Sequence, residues 1–245
     1  MTFGIDALTN DSGELTFSAD AFLFCYLGKA TLSSVTHYTG DSTSSAAGYA
    51  TYTFTSSGPI IPALGIGSSQ GCIAGLSQSG STWTITVIDY GSGTEGPSDA
   101  TYGVPRSDSD VYVFGLPSVS ALPTYGVALY NASGTLTADL LKIPLVAAAR
   151  IVLPTSTSTL TGLPALVKPA ITGFPSMYER DSTHSGSHYI NTSYRGLWQW
   201  SESGGTGTLA RGNVLQSYEI DDGPISAVTV LNATNAILIE ANGLT

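Results

Sequence analysis

Apolar and polar residues alternate along most of the chain. In Tyr49–Thr55, Ala50, Tyr52 and Phe54 fall on one side and Thr51, Thr53 and Thr55 on the other, which is the period of a half-buried strand. Trp83, Ile85 and Val87 repeat the scheme against Thr84 and Thr86. Short β-branched or aromatic runs at 3–8, 22–27, 111–114, 125–130, 150–153, 197–200, 214–218, 227–231 and 236–240 predict further strands, with Gly, Pro, Asn and Ser between them. Only 138–142 and 147–150 lack frequent breakers, so little helix is expected. The spacing predicts an all-β chain of antiparallel sandwich or barrel type.

The chain also matches itself at an offset of 121 residues. Ala7-Leu-Thr-Asn-Asp-Ser-Gly-Glu-Leu-Thr16 aligns without gaps on Ala128-Leu-Tyr-Asn-Ala-Ser-Gly-Thr-Leu-Thr137, with seven of ten positions identical. Just upstream, Phe3-Gly4-Ile5 matches Tyr125-Gly126-Val127 once a single residue is skipped. The motif is a hairpin recipe: a strand, then Asn-x-Ser-Gly, in which Asn and Gly tolerate positive φ, then a returning Leu-Thr strand. Each half closes on an aliphatic strand, Val111–Phe114 in the first and Ala236–Glu240 in the second. Two tandem, diverged β-sandwich domains are therefore expected, 1–118 and 125–245. The linker expected between them is 119–124, in a stretch where Pro117 and Pro123 bracket small residues.

The doubled opening resembles the [FY]-G-[IV]…N-x-S-G-x-L pattern that begins many small tail-tip and tail-fibre-associated proteins of tailed bacteriophages. It does so in Phe3-Gly4-Ile5 through Leu15-Thr16 and in Tyr125-Gly126-Val127 through Leu136-Thr137. The resemblance implies a structural component of the virion, made in the host cytoplasm and carried in the tail. It implies attachment to other tail proteins, with a host-surface glycan or protein as an open second contact, and brings no catalytic residues. Sequential β-domains in tails usually assemble around a symmetry axis, so a homo-oligomer is expected. A soluble carbohydrate-binding β-sandwich without a virion role is the alternative.

Composition narrows the partners. Eight Lys and Arg stand against 18 Asp and Glu, giving a net charge of −10, and charged residues are 11% of the chain against about a quarter in ordinary domains. Nucleic acid is excluded as a partner, because its recognition needs clustered Lys and Arg on phosphates. No membrane insertion is expected: the longest apolar stretch, 143–153, contains Pro144 and Arg150 and falls short of the ~20 residues a spanning helix needs. Nor does the N-terminus show a basic region followed by an apolar core, so a secretory signal is not expected. Cys25 and Cys72 lie in apolar or Gly-rich surroundings without metal-ligand spacing and read as buried free thiols, with a disulfide as the alternative.

Candidate chemistry is sparse, and neither enzymatic activity nor a cofactor is expected. Gly67-Ser-Ser-Gln-Gly71 fits G-x-S-x-G and would make Ser69 a nucleophile, but the following Cys-Ile-Ala-Gly is a poor helix. His184 and His188 bracket turn-forming residues, and a metal there would need a third ligand such as His37, Glu179 or Asp181. The pairs Asp108/Asp110, Glu179/Asp181 and Asp221/Asp222 read as surface charge, since none carries the further oxygen ligands of a calcium loop. Aromatics are the stronger signal. The stretch 178–200 reads as loop-rich, and Trp198 and Trp200, two apart, share a strand face and read as core. Tyr178, Arg180, Tyr189, Tyr194 and Arg195 fit the Tyr/Arg profile of contact hot spots and are the candidate binding residues.

Overall fold

The structure is a computed structural model that describes residues 7–9, 15–18, 24–67, 70–117, 128–139, 143–153, 159–173, 177–225, 228–231 and 234–244. All regular structure among them is β, and no helix is present. The first half supplies β1 (Ala7–Thr9), β2 (Leu15–Ser18), β3 (Cys25–Lys29), β4 (Thr31–Thr36), β5 (Thr39–Gly40) and β6 (Ser44–Ala46). It continues with β7 (Tyr49–Thr55), β8 (Ile60–Gly65), β9 (Gln70–Ser79), β10 (Thr82–Glu95), β11 (Tyr102–Pro105) and β12 (Val111–Gly115). The second half supplies β13 (Ala128–Tyr130), β14 (Leu136–Asp139), β15 (Ala147–Leu153), β16 (Thr159–Pro164) and β17 (Pro169–Thr172). After these come β18 (Met177–Ser185), β19 (His188–Ser203), β20 (Thr206–Asp221), β21 (Val228–Leu231) and β22 (Thr234–Glu240).

The repeated motif forms the same hairpin twice. Ala7, Leu8 and Thr9 pair with Ser18, Phe17 and Leu15. Their counterparts 121 residues on, Ala128, Leu129 and Tyr130, pair with Asp139, Ala138 and Leu136. Even the one-residue register shift recurs, between Leu8 and Thr9 and between Leu129 and Tyr130. The second turn shows why the motif needs its residues. Asn131 Oδ1 accepts from Thr135 N at 2.8 Å and Ser133 Oγ at 2.7 Å, while Gly134 takes φ +79°.

Repetition extends into the body of the molecule. Reading outward from the β8–β17 pair, the six-stranded sheet runs β8, β12, β3 on one side and β17, β22, β15 on the other. Pro62-Ala63-Leu64-Gly65 and Pro169-Ala170-Ile171-Thr172 meet antiparallel at this seam, with Leu64 opposite Ile171 and Ala63 opposite Thr172. The sheet then returns on itself. Tyr26 N donates to Ile143 O and Leu145 N to Phe24 O, both at 2.7 Å, so the residues leading into β15 lie along the outer edge of β3. Ala63, Ala170, Tyr112, Phe114 and Ile239 fill the inside of the roll.

The opposite face of the same strands, through Leu64, Val111, Val113, Ile171 and Leu238, packs on Ile73, Ile85, Val87, Trp198, Trp200 and Leu209 of a twelve-stranded sheet. Strands β8, β12, β17 and β22 are covered on both faces, which explains the uninterrupted burial of Val111–Gly115. In the larger sheet the order is β4-β7-β10-β9-β19-β20-β6-β5, and the halves join where Gly71 of β9 faces Trp198 of β19.

The described strands of 1–118 and of 125–245, the two stretches expected as tandem sandwiches, share both larger sheets. Each half would leave β8 or β17, and β9 or β19, as an exposed edge with unpaired backbone groups. Pairing these edges with one another merges the halves into two shared sheets. The expected linker 119–124 lies outside the described residues.

Candidate contact groove

Strands β18, β19, β20, β6 and β5 lie side by side and build a polar grid. Residues directly opposite in antiparallel strands share a face. One row runs Arg180, Ser193, Ser217, Ala46, Thr39, and the next runs Ser182, Asn191, Glu219, Ser44. A third, toward the β18–β19 turn, carries His184, Tyr189 and Asp221. The first two rows floor an open groove of about 330 Å³.

The buried polar groups of this floor are held by one another. Asn191, 3% exposed, accepts from Ser182 Oγ at 2.8 Å and from Ile225 N at 3.3 Å, and its amide nitrogen donates to Gly223 O. That set pins the 222–225 loop over one side of the groove. Ser193 and Ser217 hydrogen bond through their hydroxyls. One such bond uses one proton, so the pair keeps an O–H to donate. Arg180 and Glu219 are exposed in the same groove, and Arg180 makes no ion pair among the described residues. The groove thus offers a guanidinium, a carboxylate and free hydroxyl hydrogen-bonding capacity within one small area.

A larger depression of about 870 Å³ lies further along, between Gln70, Tyr90, Pro105, Arg106, Gln199 and Val214. Its cation is engaged: Arg106 Nε donates to Asp108 at 2.9 Å, and its Nη1 lies 3.7 Å from the buried Asp89.

Of the five residues expected to make contacts, Arg180 lines the groove and Tyr189 lies on the same face, one row away, against the His184 ring at 4.8 Å. Arg195, opposite Val214, also falls on that face but serves a different neighbourhood. Burial pushes Cys72 and Tyr90 up to about 12, and the Arg195 charge opposes the shift at both. Tyr194 pairs with Leu215 on the opposite face and does not join the groove. Tyr178 is opposite Arg195 in the ladder. Asn191, Ser193, Ser217 and Glu219 were not singled out by the sequence, although their polar i, i+2 spacing places each pair on one face of a strand.

The remaining candidates fall elsewhere. No protein-family model, curated protein or solved structure matches the chain. Ser69 lies outside the described residues. His184 and His188 sit on β18 and β19, across a turn at 186–187, and not in a loop. They point to opposite faces, since His184 faces Tyr189 while His188 faces Ser185. His188 instead meets Asp222 at 3.2 Å. No group of three or more His, Cys, Asp or Glu suited to a metal occurs among the described residues. Asp108 is held by Arg106, and Asp110 by Lys29 at 2.9 Å. Both cysteines are buried thiols that are not joined in a disulfide, and Trp198 and Trp200 are core residues.

Proposed function

We propose that the protein is a structural component of a tailed-bacteriophage virion, in the tail tip, the baseplate or a tail fibre. In this reading it attaches to other tail proteins in several copies and presents the polar groove to a partner or host-surface receptor. The observation that carries it is the doubled hairpin: the segments on which the tail-protein resemblance rests pair in one register in both halves. The groove adds a contact surface of Arg180, Glu219 and serine hydroxyls, suited to hydrogen bonding at a wet interface. The role requires no catalytic step and no cofactor. Immunogold labelling of purified particles carrying an epitope-tagged copy tests the proposal. Label on the tail is expected, and particles without the protein contradict it.

The hydroxyl floor favours one second reading, a carbohydrate-binding module. A glycan array with the isolated protein separates the two. Saturable binding that is lost in Arg180→Ala supports the module, and absence of binding supports the structural role.

A further inference from the structure

At one end of the rolled six-stranded sheet, a cavity of about 580 Å³ opens beside Ile60, Ile73, Leu76 and Ile237. Its volume is that of ordinary small-molecule sites, roughly 300–1,000 Å³. Among the described residues that line it, only Arg150 and Thr172 carry polar side chains. Both lie beside Ile237. Arg150 faces Ile237 across β15 and β22, and the Ile237 N–H donates to Thr172 Oγ1 at 3.0 Å. Thr172 is buried, and because its oxygen accepts that bond, the hydroxyl proton remains to be donated. Arg150 is exposed and makes no ion pair among the described residues, in a chain where acidic side chains outnumber basic ones 18 to 8.

An uncommitted guanidinium at the rim of an aliphatic cavity selects a ligand that joins an apolar chain to a single anionic head. A carboxylate suits it best, because the planar guanidinium binds carboxylates in a two-pronged fashion and the Thr172 hydroxyl supplies a further donor. We propose that this cavity binds a free fatty acid, with the hydrocarbon chain among Ile60, Ile73 and Leu76 and the carboxylate at Arg150 and Thr172.

Isothermal titration of the full chain with dodecanoate, kept below its micelle concentration, tests the assignment. One-to-one saturable binding is expected, weakened at least tenfold by Arg150→Gln and abolished by Leu76→Trp, each variant first checked for a native near-ultraviolet spectrum. Dodecyltrimethylammonium, with the same tail and a cationic head, should bind at least tenfold more weakly. Co-sedimentation with phosphatidylglycerol vesicles distinguishes the free acid from membrane lipid, and the protein should stay in the supernatant. Absence of saturable dodecanoate binding, equal binding of the cationic amphiphile, unchanged affinity in folded Arg150→Gln, or retention on vesicles would overturn the proposal.

Discussion

The seam between the two halves and the polar groove are built from the same antiparallel ladder, yet they face opposite demands. At the seam Ala63, Leu64, Ala170 and Ile171 are all at most 1% exposed, with Leu64 and Ile171 directly opposed at its centre. In the groove the row Arg180, Ser193, Ser217, Ala46 puts a cation and hydroxyls where the seam has methyl groups. Backbone bonding is the same in both places. The side chains decide whether a surface is consumed in joining the halves or remains available to another molecule.

The seam is the more sensitive of the two regions to a lost side chain. Leu64→Ala removes a fully buried side chain from the main core, and a loss of about 2–5 kcal/mol is expected in urea unfolding. A wild-type midpoint in this variant would mean that the seam is not a packed joint.

Glu240 ties the same joint to its loop. Its carboxylate accepts from Val167 N at 2.7 Å and from Lys168 N and Asn242 N at 2.9 Å. Burial alone would raise its pKa, but these N–H groups together hold it below the ordinary 4.5. A lowered folded pKa stabilises the protein at pH above the unfolded value, and that stabilisation is lost as pH falls through the folded one. Glu240→Gln should cost about 1–2 kcal/mol at neutral pH, with the gap to wild type closing as the solution is acidified below 4.5. A gap that persists in acid would contradict the assignment.

Cys72 reports on the seam strand β9. With its thiol fully buried and its pKa pushed to about 12, it should resist iodoacetamide at pH 8 until the chain unfolds. Mass spectrometry of the native protein checks this. The smallest effect on stability belongs to the groove, where Arg180→Ala should stay within about 0.5 kcal/mol of wild type while weakening partner contact. A large loss of stability would mark Arg180 as a structural residue.

Much of the fold was legible in the sequence because half-buried strands alternate. Ala50 and Tyr52 are 2% exposed, and Ile85 and Val87 are fully buried, on the expected faces. The hairpin motif was equally plain, because Asn and Gly in it have a local geometric task. The length of the central strands was not. Glycines within 177–221 read as interruptions, yet β19 and β20 each run for 16 residues. Gly207 shows the reason: a Cβ there would lie 2.0 Å from the Trp200 ring, so glycine makes room for a neighbouring strand's aromatic side chain instead of ending its own strand.

The merger of the halves was hidden too. Pairing of β8 with β17 and of β9 with β19 is non-local, and periodicity within one strand carries no information about its neighbour. The groove shared this difficulty, since Arg180 and Glu219 are far apart in sequence and come to line one groove only through register. Only part of the Tyr/Arg cluster therefore belongs to it.

The shared construction of the two halves is tested most directly by amide hydrogen exchange during urea unfolding, followed separately on Val113 in the first half and Leu238 in the second. Both strands carry the main core and flank the seam. Coincident loss of protection at one urea concentration is the predicted result, and two separated transitions, one for each half, would contradict it.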